Sequence, residues 1–152
     1  MSVASAVTAI AFHFNMPDKL AYACRLLRKA SRAGAQVGVV GRDTDLAALD
    51  RALWVFDPVD FLPHVRLPLT EGEAGRRLAS HTRLWLASSP TELPHREVLV
   101  NLGDEVPASF DAFGRLIELV GLDEDDRRQA RLRWKHYQSC GYAVERHEVG
   151  GG

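Results

Sequence analysis

The feature that most constrains the fold is an apolar run, an amphipathic helical stretch and a second apolar run in immediate succession. Residues 7–14 (VTAIAFHF) are mostly aliphatic, β-branched or aromatic and are bounded by Asn15 and Pro17, the pattern of a buried strand. Asn15-Met16-Pro17-Asp18 then offers a capping side chain, a proline suited to a first helical turn and an acid three residues on. Leu20, Ala23, Leu26, Leu27 and Ala30 recur at helical spacing, with Lys19, Arg25, Arg28, Lys29 and Arg32 on the other faces until Gly34 stops the pattern. Residues 36–40 (QVGVV) follow at once as a second strand. A helix between two strands is the connection that parallel strands need, so the unit predicts a parallel pair and an α/β domain.

The rest of the chain extends this pattern. Asp43 or Thr44 is placed to cap a second helix with a buried stripe of Leu46, Leu49 and Leu53, ending at Asp57-Pro58. Residues 57–94 are rich in Pro, Gly and Ser, and only 83–87 (RLWLA) reads as a strand there. Further on come a strand at 97–102 (EVLVNL), a helical turn holding Phe110 and Phe113 and broken by Gly114, and a strand at 116–120 (LIELV). The longest helix is expected over 123–140, stopped by Gly141, with an edge strand over 142–148. A length of 152 residues, 46% of them hydrophobic, suits one domain over 1–149, with 150–152 as a disordered tail. The sum is an α/β sandwich with a largely parallel central sheet.

The chemistry that such a fold often carries is missing from its motifs. Gly38 lies in the second strand and Gly41 just after it, yet neither GxGxxG nor GxxxxGK[ST] occurs, so residues 40–44 read better as a plain strand-to-helix turn than as a phosphate cradle. Ser88 and Ser89 lack a nucleophile elbow, and His13, His64, His81, His95, His136 and His147 show no metal-ligand spacing. Four acids over 123–126 suit the first turn of a helix, where they complement its dipole. Cys24 and Cys140 form no pair or cluster and are expected as two buried free thiols in a reducing cytoplasm. No run reaches the ~18 apolar residues of a membrane span, and the apolar start lacks the basic flank of a signal peptide. Nineteen Lys and Arg against twenty Asp and Glu leave a net charge of -1, which excludes the overall basicity of a direct nucleic-acid binder.

Three stretches invite a binding role. Residues 49–54 (LDRALW) followed by Phe61-Leu62-Pro63-His64 place a tryptophan at a helix end and a phenylalanine beside a proline, which is either an apolar platform for a partner or a loop folded onto the core. On the long helix, positions 127, 131, 134 and 138 share a stripe at ~100° per residue, with Ala130 and Tyr137 beside it toward the core. Arg127, Arg131, Trp134, Lys135 and Gln138 there form either a receptor for a carboxylate on an apolar side chain or a solvated face over core aromatics. Residues 98–102 with 116–120 read as core.

These stretches, together with residues 96–102 (REVLVNL), 131–137 (RLRWKHY) and Gly141-Tyr142, resemble the chi subunit of bacterial DNA polymerase III in order and spacing from the first strand to about His147. The resemblance implies a Rossmann-like three-layer sandwich without nucleotide chemistry, no cofactor, and no catalytic activity of its own. It implies an accessory subunit of the clamp-loader assembly in DNA replication, cytoplasmic, a monomer or a heterodimer with the psi subunit, reaching DNA only indirectly. By position, Trp54, Phe61, Pro63 and His64 match the psi-binding surface. Arg127, Arg131, Trp134 and Lys135, with Val120 nearby, match the pocket that takes the acidic C-terminal tail of single-stranded DNA-binding protein, which ends in a Pro-Phe carboxylate. Two positions depart from the commoner pattern: Arg127 stands where a lysine is familiar and Trp134 where a tyrosine is. The rival expectations are a nucleotide-binding α/β domain or an enzyme with an unrecognised site, and a domain that binds single-stranded DNA directly through the Arg-rich helix.

Overall fold

The computed structural model of the chain describes residues 7–56, 62–67 and 82–149. Strands β1 (Ala9–Met16), β2 (Val37–Val40), β3 (His64–Arg66), β4 (Leu84–Ala87), β5 (Val98–Asn101), β6 (Arg115–Gly121) and β7 (Val144–Glu148) form one sheet in the order β3-β4-β2-β5-β6-β1-β7. Every neighbouring pair is parallel. The α-helices of the described residues are α1 (Lys19–Arg32), α2 (Asp43–Phe56) and α3 (Glu124–Ser139). Phe61, the end of the second helix at Asp57-Pro58 and the tail 150–152 lie outside the described residues.

The sheet is a buried middle layer. Ala23 and Leu27 of α1 and Leu46, Leu49 and Leu53 of α2 pack with Val37, Val39, Ile117 and Leu119 on one face. Ala130 and Tyr137 of α3 pack with Phe12, Leu99, Leu116 and Val120 on the other. Alternate residues of β6 divide between these two clusters, as the period of two along a strand requires. The expected α/β sandwich is therefore formed, with a sheet that is parallel throughout.

Three local expectations are corrected. β1 and β2 are parallel but not paired, because β1 lies between β6 and β7 while β2 lies between β4 and β5. A helical crossover sets the relative direction of the strands it joins, and strands from far along the chain fill the gap it leaves. Asn15 is not the cap of α1. Asp18 is, its carboxylate accepting the Ala21 N–H at 3.0 Å, and Pro17 stands just before it.

Asn15 instead occupies a β-bulge. The pairing of β1 with β6 slips between Phe14 and Met16, and Asn15 has φ +70°, a left-handed conformation that asparagine tolerates better than most residues. The extra residue reverses the alternation of the strand. Phe14 packs with the α3 cluster, whereas Met16, two residues on, is buried in the α1 and α2 cluster. The end of α2 that follows β2 is built differently from the expectation too: Leu46 N–H donates to the Arg42 carbonyl at 2.9 Å and the Asp45 carboxylate accepts the Arg42 N–H at 3.3 Å, so Arg42 precedes the helix and Asp45 satisfies it.

Candidate protein-interaction surfaces

The face of α3 that turns away from the sheet meets the β1–β7 edge in an open groove of about 750 Å³. Its floor is apolar. Val120 is buried beneath it, and the half-buried Trp134 ring lies 5.0 Å from the Phe12 ring, centre to centre. Arg127, Arg131 and Lys135 enter from α3 and Arg146 from β7, where its guanidinium stands 5.2 Å over the Phe14 ring. Among the described residues Glu148 is the one carboxylate on the lining, so four cations face it in a chain whose net charge is -1. Arg131 pairs only loosely, at 3.6 Å, with Glu124, and both side chains are largely exposed. Arg127 donates to the Asn15 side-chain oxygen at 3.3 Å. Cations over an aromatic floor can hold a carboxylate while apolar surface receives a ring beside it.

The helix geometry that builds this wall comes from its first turn. Asp123 caps α3 by accepting the Asp126 N–H at 3.2 Å, and Glu124, Asp125 and Asp126 follow in the dipole-favoured positions. Asp126 accepts the Gly121 N–H at 2.7 Å and pairs with Lys19 at 3.2 Å, tying the start of α3 to the end of β6 and to α1. The acidic run is thus spent on anchoring the helix.

A second surface lies at the end of α2. Trp54 and Val55 are exposed, at 52% and 76% of their full areas. The Trp54 ring rests 4.9 Å from the His64 ring, which is itself buried, its Nδ1 donating to the Leu62 carbonyl at 2.9 Å and its Nε2 standing 2.9 Å from Asp50. His64, 2% exposed, therefore supports Trp54 from within. Pro63 is half-buried and its carbonyl accepts the Thr82 hydroxyl at 2.9 Å.

The crevice at the carboxyl ends of β2 and β5, about 410 Å³, is where a nucleotide would sit in a fold of this kind. Its contents are unfavourable to phosphate. Arg42 is already paired with Asp104 at 3.6 Å and Asp45 at 3.4 Å, and the Asp45 carboxylate occupies the helix N-terminus. Gly38, upstream of this turn, serves packing: a Cβ there would collide with the Leu93 side chain.

The family model described as "DNA polymerase III chi subunit, HolC" matches residues 7–145. The chain belongs to this family. It is 35% identical over 132 residues to the DNA polymerase III subunit chi of Pseudomonas aeruginosa, covering 86% of this chain and 87% of that one. It is 31% identical over 130 residues to the DNA polymerase III subunit chi of Haemophilus influenzae, covering 84% and 85%. Both relatives are named as subunit chi of DNA polymerase III, which makes this family member an accessory chain of DNA replication and not a catalytic one. No helix among the described residues is long and apolar enough to cross a membrane.

Within this chi family member, the five residues that the resemblance implied for a tail pocket, Val120, Arg127, Arg131, Trp134 and Lys135, line one groove. The sequence reading missed the opposite wall. Phe14, Asn15, Arg146 and Glu148 come from strand ends that only the β1–β7 pairing brings beside α3. It also missed Arg133, which is fully buried with Glu118: Nε donates to Glu118 at 3.0 Å and Nη1 to the Asp104 carbonyl at 2.9 Å. Tyr137 OH at 2.6 Å and the Asn101 amide at 3.0 Å complete the set of donors around that carboxylate. Burial pushes the Glu118 carboxyl above the usual range, while Arg133, Tyr137 and Asn101 pull it back down. Helical phase was the available signal, because position 133 falls on the stripe of Ala130 and Tyr137, not on that of Arg131. One thiol also departs from expectation: Cys24 is buried, Cys140 exposed.

Proposed function

We propose that this chain bridges two partners in the replication machinery, taking the acidic C-terminal tail of single-stranded DNA-binding protein in the α3–β7 groove and the psi subunit at the Trp54 surface of α2. The observation that carries the reading is the convergence of Arg127, Arg131, Lys135, Trp134 and Val120 on one groove with an apolar floor. The guanidinium groups hold the terminal carboxylate and acidic side chains, and the surface of Trp134 and Val120 receives the last phenylalanine. Trp54, with Val55 beside it, supplies an exposed aromatic anchor that a partner helix or loop would cover. As a clamp-loader-associated subunit acting in the cytoplasm, the chain reaches DNA through these proteins, in keeping with its net charge of -1.

The test is a calorimetric titration with a synthetic acidic peptide ending in Pro-Phe. The parent chain binds it, removal of the terminal phenylalanine abolishes most of the binding, and neither a nucleotide nor a bare oligonucleotide raises the melting temperature. Stabilisation by a nucleotide and not by the peptide would overturn the proposal.

A further inference from the structure

Resting on that reading of the groove, we propose that Asn15 is a positioning residue: its side-chain amide stands between Arg127 and Glu148 and keeps this carboxylate from neutralising the guanidinium that an acidic peptide needs. The amide makes one bond to each. Its oxygen accepts from Arg127 Nη2 at 3.3 Å, and its Nδ2 donates to Glu148 Oε2 at 3.0 Å. A side-chain amide can do both at once, having an acceptor on one arm and donors on the other. An aspartate here would repel Glu148 and pair with Arg127; an alanine would engage neither.

The backbone delivers Asn15 to this place. Glu148 is in register with Phe14 at the end of β7, so a carboxylate is built into a groove that otherwise presents cations. The bulge between Phe14 and Met16, with Asn15 at φ +70°, brings one extra residue to the groove at the height of Glu148. Glycine would meet the backbone requirement as well, but it has no amide to place between the charges. With Asn15 present, Arg127 spends a donor on a neutral oxygen and keeps its charge for a ligand. Without it, Glu148 and Arg127 carry side chains long enough to pair, and the resident carboxylate competes with the incoming one.

The experiment is fluorescence anisotropy at low salt with a labelled acidic peptide ending in Pro-Phe, applied to the parent chain, Asn15→Gly, Glu148→Gln and the double variant. Asn15→Gly suits the observed φ and leaves the fold in place, which a thermal melt verifies. It should bind the peptide about threefold more weakly, the scale of an exposed ion pair. Glu148→Gln should bind slightly more tightly than the parent. The double variant should bind like Glu148→Gln alone, because Asn15 has no carboxylate left to hold off. Asn15→Gly binding as tightly as the parent, or the double variant staying as weak as Asn15→Gly, would overturn the inference and leave the groove reading standing if Arg131→Ala still weakens binding. A parent chain that fails to bind the peptide would remove both.

Discussion

Arg131 and Arg133 stand two residues apart on α3 under opposite physical conditions. The Arg131 side chain is 62% exposed and meets Glu124 only at 3.6 Å, whereas Arg133 is 2% exposed and bonded to Glu118, itself buried, at 3.0 Å. On the outer face the charge is held in readiness in water; on the inner face it is committed. A buried ion pair offsets a large desolvation cost with its own attraction and is strongly destabilising to break, while an exposed one contributes little to stability. The same residue type on one helix is therefore left solvated on one side and fixes the helix on the sheet on the other. The Glu118 cluster holds more than α3, since Arg133 reaches the Asp104 carbonyl and Asn101 the Glu105 carbonyl at 3.0 Å, tying down the loop after β5.

The sharpest way to break this comparison is to truncate the inner arginine. Arg133→Ala leaves Glu118 without its cation and should cost about 3 to 5 kcal/mol of folding stability, read by urea denaturation. Tyr137→Phe removes one donor from the same carboxylate and should cost about 1 to 3 kcal/mol. A loss near zero in both would mean that the cluster does not hold α3.

On the outer face the expectation reverses. Arg131→Ala should change stability by no more than about 0.5 kcal/mol yet lose about 1.5 to 3 kcal/mol of peptide binding, as for a charge-assisted hydrogen bond. Trp54→Ala should cost about 2 kcal/mol in association with the psi subunit and leave the peptide affinity unchanged. If Trp54→Ala weakened the peptide instead, the two surfaces would not be separate.

The smallest effect concerns the face of the sheet away from the groove. His13 lies against Tyr22 and His147, and burial, with the positive charge of His147 and Arg115, lowers its imidazole to about 4. The unfolded chain then binds more protons than the folded one between about pH 4 and the ordinary histidine value near 6.5. Stability from this group is complete above that window and is lost as the pH falls through it. His13→Gln should flatten this part of the pH profile of the melting temperature, with no effect on peptide binding at neutral pH.

How much of this was legible in the sequence depended on how local the cause was. Residues 7–14, 97–102 and 116–120 predicted β1, β5 and β6 to within two residues at each end, because apolar runs between turn residues are local signals. The expected span 123–140 matches α3 with both its caps. β3 was not seen, since three residues at a sheet edge (HVR) make too short a pattern, and the neighbours of β1 were not seen because pairing is decided by strands about a hundred residues away. The groove divides along the same line. Its α3 wall follows from helical periodicity and was legible, whereas its β7 wall, from Asn15 to Glu148, needed the fold. Arg133 was hidden for another reason: an arginine among arginines looks solvated until its buried partner on β6 is known.

The three tryptophans mark three regions, and one measurement on them tests the account most directly. Trp134 stands in the groove, Trp54 on the α2 surface, and Trp85 is buried with its indole N–H donated to Gln36 at 3.1 Å. Titration of the ¹⁵N-labelled chain with the acidic Pro-Phe peptide, followed through the three indole N–H resonances, should move Trp134 progressively to saturation and leave Trp54 and Trp85 in place. An unmoved Trp134 resonance at saturating peptide, or a shift of Trp54 in its stead, would contradict the assignment of the α3–β7 groove as the site that receives the tail.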